Sequence, residues 1–203
     1  MRVKICGINT SEAYEAAHLA DYVGFVFFPP SPRHVTARQA AAIMRPSGPV
    51  RVGLFVEPTD AMVADTLAVA ALDVLQVVAP ASRVADLRAR FGRPVWRATG
   101  IRAAADLPAT MGGADALLLD ARAPDGATRP GGNAVAFDWS VLRAWSAPGP
   151  WLLAGGLTPG NVAAAIAETG ARAVDVSSGV ESAPGVKDAV RIDAFVVAAR
   201  SSL

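Results

Sequence analysis

The sequence predicts an α/β protein: one (β/α)8 barrel of eight parallel strands, spanning residues 1–203 as a single domain. Three observations carry that expectation. Eight short β-branched or aromatic runs alternate with Ala-rich stretches of helical spacing. Each run is almost continuously apolar, as a strand buried on both faces must be. And 203 residues shared among eight units give about 25 per unit, the lower limit for a closed barrel, so no room is left for a further domain.

In chain order the predicted strands are residues 2–6, 22–27, 50–56, 74–78, 95–98, 116–120, 151–154 and 173–176. Between them, helix starts are marked by residues whose side chains cap free backbone N–H groups: Thr10-Ser11 before Glu12, Thr36 before Ala37, Thr158-Pro159 before Asn161, and Lys187-Asp188 before Val190. A strand–loop–helix unit repeated eight times requires a parallel sheet with helical crossovers, and the count of eight favours closure over an open doubly wound sheet. The longest connection, from Asp120 to Trp151, is rich in Gly, Pro, Asp and Arg and is expected to be a mobile loop with a hinge at Gly131-Gly132.

Composition excludes several function classes. A formal charge of +1 with no basic run argues against nucleic acid, whose phosphate backbone needs clustered Lys and Arg. One cysteine rules out an internal disulfide and a Cys-rich metal site, and fits a reducing, cytoplasmic setting. No apolar stretch of membrane-spanning length occurs, and the start of the chain has no leader pattern, so no membrane partner is expected. His18 and His34 have no companion ligands at metal-binding spacing; no metal site is expected.

In a parallel barrel the chemistry sits at the carboxyl ends of the strands, so the residues closing each run matter most. Cys6 closes strand 1, ahead of Gly7; it reads either as a small core side chain or as a nucleophile or base. Asp120 closes strand 6, as a helix cap or as an acid facing Cys6 across the mouth. For these roles the thiol would benefit from a nearby cation such as Lys4 or Arg33 or from a helix dipole, and the carboxyl must rise roughly three units, which burial beside a bound phosphate would supply. Arg33, in a proline-stiffened loop after strand 2, reads as a carboxylate clamp or a solvated loop arginine. Gln76 lies in strand 4, and Asp175 near the end of strand 8; both are expected to bind substrate.

Small residues after strands 7 and 8, Gly155-Gly156 and Ser178-Gly179, let backbone N–H groups approach an anion. Singly, each is also a tight turn. As neighbours they predict a phosphorylated small-molecule ligand. Trp139, Trp145 and Trp151 are expected to pack the barrel, with Trp96 in strand 5 the one candidate to stack a ligand.

The chain resembles the phosphoribosylanthranilate isomerases of tryptophan biosynthesis. The resemblance is carried by Val3-Lys4-Ile5-Cys6-Gly7-Ile8, Gly24-Phe25-Val26-Phe27 with Ser31-Pro32-Arg33, and Val52-Gly53-Leu54-Phe55-Val56. It continues through Leu118-Leu119-Asp120, Phe137-Asp138-Trp139, Leu153-Ala154-Gly155-Gly156-Leu157 with Asn161-Val162, and Val174 to Glu181 followed by Pro184 to Asp188. It implies an Amadori rearrangement of N-(5-phosphoribosyl)anthranilate, an aminoaldose, to the corresponding 1-deoxyribulose phosphate, without metal or cofactor. It also implies Cys6 as general base at C2 of the sugar and Asp120 as general acid at the ring oxygen. Arg33 would then face the anthranilate carboxylate, with the paired glycine loops on the phosphate, in a monomer or homodimer. Two positions depart from the family pattern: Gln76-Val77-Val78-Ala79 stands for Gln-Leu-His-Gly, and Gly131-Gly132-Asn133-Ala134 for Gly-Gly-x-Gly. Both departures lie at the mouth, so a divergent paralogue acting on a related phosphoribosyl amine is one alternative. A non-catalytic barrel that binds a phosphorylated ligand is another.

Overall fold

The computed structural model describes residues 1–123, 126, 131 and 136–201. Eight strands form a closed parallel barrel in sequential order: β1 (Arg2–Cys6), β2 (Tyr22–Val26), β3 (Val50–Val56), β4 (Val74–Val78), β5 (Val95–Ile101), β6 (Ala116–Ala121), β7 (Trp151–Leu153) and β8 (Ala173–Val176). All eight apolar runs are strands, with ends displaced by three residues at β5 and by at most one elsewhere. Closure occurs where β1 pairs with β8, Lys4 opposite Asp175 and Ile5 opposite Val176.

Strand periodicity explains two separate cores. Alternate side chains point to opposite faces of a strand, so Val3, Ile5, Val23, Phe25, Phe55, Leu75, Val77, Leu117, Leu119, Leu153, Val174 and Val176 face outward into a large core shared with the helices. Their neighbours point inward. Val52, Val74, Trp96, Ala116, Leu118, Leu152 and Ala154 pack a smaller core inside the barrel, and Tyr22 meets Trp96 edge to face with ring centroids 5.0 Å apart. Trp96 therefore plugs the barrel and takes no part in lining its mouth.

The crossovers carry α1 (Ser11–Ala16), α2 (Ala37–Ile43), α3 (Asp60–Leu67), α4 (Ala81–Phe91), α5 (Val162–Thr169) and α6 (Ala189–Arg200). Thr10, Thr36 and Asp188 cap their helices through the side chain, and Thr36 with Gln39 forms a full capping box. The Thr158 start is refined: the cap is Asn161, whose Oδ1 accepts from Thr158 N at 2.7 Å while its Nδ2 donates to Gly156 O at 3.0 Å.

After β5 and β6 the described residues hold only 3-10 turns, Ala104–Asp106 and Trp139–Leu142, where helices were expected. Pro108 and the left-handed Gly112 and Gly113 break any helix in the first crossover. After β8 comes a 3-10 turn, Ser178–Val180, and then an antiparallel hairpin, Glu181–Ala183 with Val186–Lys187, which folds back over the end of the strand. The expected hinge falls partly on Gly132, and the second departure on Asn133 and Ala134; all three lie outside the described residues. Among the described residues no helix is long and apolar enough to cross a membrane, and no group of three His, Cys, Asp or Glu side chains is placed to hold a metal ion.

Candidate active site

Inward-facing side chains at the carboxyl ends of the strands surround a cup of about 710 Å³, the open water at its mouth included. Cys6, Gln76, Asp120 and Asp175 contribute from the strands, and Arg33 and Ser177 from the loops after β2 and β8. One wall is apolar, built from Val26, Phe28, Leu54, Val56, Val78 and Ala98. The first departure from the family pattern thus reaches the cup: Val78 lines it where a histidine is usual.

Cys6 is 4% exposed and Lys4 wholly buried beneath it. Lys4 Nζ is 2.8 Å from Asp175 Oδ1 and lies beside the Cys6 thiol. Burial works against the Lys4 charge, but Asp175 and Cys6 outweigh it and raise its pKa. The thiol itself is pushed up, chiefly by burial and further by Asp175, while Lys4 and Lys187 pull the other way. Gly24 makes this crowding feasible: a Cβ there would lie 2.8 Å from Cys6 Sγ and 3.1 Å from Lys4 Nζ.

Across the mouth Asp120 is raised to about 7, first by burial and then by Asp175, against a backbone hydrogen bond from Ala121 N at 2.8 Å and the more distant Lys4. No bound phosphate is needed for this rise. Gly131 covers the carboxyl so closely that a Cβ would fall 2.5 Å from Oδ2, and Gly155, with φ of +87°, abuts Ala121 N and Asp120 Oδ1 from the β7 side.

Arg33 is buried and already has a carboxylate, the chain's own Glu181. Its Nε and Nη2 donate to the two carboxylate oxygens at 2.6 and 2.8 Å. The Glu181 carboxylate also accepts from Lys187 Nζ at 2.7 Å and Gly185 N at 3.1 Å. Burial alone would raise Glu181, but Arg33 and Lys187 hold it down to about 2. Lys187 donates further to Ser177 O at 3.0 Å, and Ser177 Oγ donates to Cys6 O at 3.1 Å. This Arg33–Glu181–Lys187 cluster went unread in the sequence: its partners are 148 residues apart and no spacing rule joins them. The PGVKD run of the hairpin was the only signal.

Gln76 is 2% exposed, and its Oε1 has no hydrogen-bond partner although it lines the cup. The glycine loops meet at the rim: Gly155 and Gly156 both adopt left-handed conformations, and Gly179 presses on Leu157 O so tightly that no Cβ fits. Gly155, Gly156, Ser178 and Gly179 thus form one seam beside the cup, outside its lining.

Residues 3–198 match the family model described as N-(5'-phosphoribosyl)anthranilate (PRA) isomerase. The chain is 55% identical over 203 residues to the N-(5'-phosphoribosyl)anthranilate isomerase of Acidiphilium cryptum, covering 99% of each. Among solved structures it is similar to TrpF from Jonesia denitrificans, with TM-score 0.85, 38% identity and coverage of 100% of this chain and 98% of that one. It is also similar to a phosphoribosyl anthranilate isomerase in complex with reduced 1-(o-carboxyphenylamino)-1-deoxyribulose 5-phosphate, with TM-score 0.82, 33% identity and 99% coverage of both.

Proposed function

Because the chain belongs to the N-(5'-phosphoribosyl)anthranilate isomerase family, it is the isomerase of tryptophan biosynthesis that its relatives are, and we propose that Cys6 and Asp120 are its base and acid. The observation that carries this reading is their placement: a thiol beside a buried ammonium and a carboxyl held near neutrality line one cup.

The chemistry needs two protons to move in opposite senses. Asp120, as the carboxylic acid, gives its proton to the furanose ring oxygen as the C1–O bond breaks, leaving an open-chain iminium. Cys6, as the thiolate, removes the proton from C2, and the electron pair of that bond neutralises the iminium to give an enolamine. The enolamine takes up a proton at C1 and releases the one on its C2 hydroxyl, so the product is an isomer. Each carrier ends in the other protonation state and is reset by exchanging a proton with water.

The cup offers matching surfaces for the rest of the substrate. The seam of Gly155, Gly156, Ser178 and Gly179 suits the phosphate, where backbone N–H groups can approach an anion. The apolar wall suits the anthranilate ring. Arg33 reaches the carboxylate through its Nη1 side, because Glu181 occupies Nε and Nη2. The unpartnered Gln76 Oε1 accepts a hydrogen bond from a substrate N–H or O–H.

The active form, thiolate with carboxylic acid, is the reverse of the abundant one, since the thiol titrates above its ordinary value and Asp120 near 7. The ratio kcat/KM is therefore expected to be flat between about 7 and the thiol's raised value and to fall below about 7. In Asp120→Asn the break near 7 should vanish, leaving a much smaller rate with no plateau that climbs with pH until the thiol ionises. An Asp120→Asn profile shaped like the wild type's would overturn the assignment.

A further inference from the structure

We propose that Lys4, held in place by Asp175, is the positioning residue that keeps Cys6 available as the thiolate that takes the C2 proton. The inference rests on the reading of Cys6 as the base, and it gives Asp175 a role through Lys4 in place of contact with the substrate.

Lys4 and Cys6 share a face of β1, so both point into the barrel, and Asp175 is the register partner of Lys4 on β8. The ammonium is wholly buried, 2.8 Å from Asp175 Oδ1, and lies beside the Cys6 thiol, both flanking the space over Gly24. Across the seam Gly24 leaves the space that a Cβ would take from both sulfur and ammonium. A buried lysine without a carboxylate tends to lose its proton. Asp175 prevents this, and the retained positive charge stabilises a thiolate that burial opposes. Asp175 on its own disfavours the thiolate, so its use lies in what it does to Lys4.

The other charged groups around Cys6 are not placed to substitute. Lys187, from the hairpin, is committed to Glu181 at 2.7 Å and to Ser177. Arg33, from the β2 loop, is locked on Glu181. Asp120, from β6, carries the opposite sign.

The test is an ultraviolet titration of thiolate absorbance in the full-length protein. Cys6 is the one cysteine, so the thiolate signal is its own, and Cys6→Ala supplies the blank for Tyr14 and Tyr22. Lys4→Met should move the thiol midpoint upward by about one unit or more, cutting the thiolate fraction at neutral pH about tenfold, with kcat falling in step and KM little changed. Because Lys4→Met leaves Asp175 buried and unpaired, Lys4→Met/Asp175→Asn provides a variant without that charge, and it should show an upward shift too. A wild-type or lower midpoint in either folded variant overturns the proposal. The titration does not depend on turnover, so failure of the base assignment, seen as an active Cys6→Ala, would be a separate result.

Discussion

Asp120 is raised because its surroundings withhold what a carboxylate needs. Burial removes water, Asp175 contributes a like charge, and one backbone N–H is too little to offset them. The same shift weakens the fold. A group whose pKa rises from 3.8 unfolded to about 7 folded contributes no penalty below the unfolded value and a growing one as pH climbs through the folded value. The cost saturates above that pH at roughly 4 kcal/mol as an upper bound. Asp120→Asn, which never ionises, should therefore unfold like the wild type near pH 4 and be more stable by up to about 4 kcal/mol at mildly alkaline pH, in denaturant titrations at both values. A variant that lost stability at alkaline pH would show that the carboxyl is not strained.

At the scale of elements, the hairpin Glu181–Lys187 acts as a clamp on the β2 loop. Glu181 accepts from two cations and a backbone N–H, and Gly185 sits against Pro32 O with no room for a Cβ. Removing the central anion leaves Arg33 and Lys187 buried without their partner, a change that costs about 3–5 kcal/mol in comparable cases. Glu181→Gln should lose that much stability and also raise KM, since Arg33 would no longer be aimed at the cup. Denaturant unfolding beside substrate-saturation kinetics would separate the two effects. The α2 cap is a contrasting case, because Thr36 and Gln39 lie at the helix start and line no part of the cup. Thr36→Ala should cost about 1 kcal/mol and leave kcat and KM unchanged.

Across the whole molecule, how much could be read in advance depends on whether the information is local. Barrel strands are buried on both faces, so runs such as Val74–Val78 announce themselves without reference to any partner. The same holds for Thr10, Thr36 and Asp188, whose capping bonds reach only three residues along the chain. The meeting of Cys6 and Asp120 at one cup was legible because a parallel barrel brings every strand end to one face. The crossover after β5 misled because its alanines favour helix while Pro108 and Gly112-Gly113 end it. Arg33 illustrates the other limit: its loop position was plain, but its commitment to Glu181 arises only when β8 closes against β1 and the hairpin folds over. Lys4 could be named as a neighbour of Cys6, yet its complete burial and its pairing with Asp175 depend on barrel closure.

The most direct measurement is kcat for conversion of N-(5'-phosphoribosyl)anthranilate by wild type, Cys6→Ala and Asp120→Asn, each confirmed folded by its unfolding curve. With Cys6 as base and Asp120 as acid, each substitution should lower kcat by roughly 10²–10⁴-fold, with KM changing far less. A folded Cys6→Ala or Asp120→Asn that turned over at the wild-type rate would contradict the assignment of that residue.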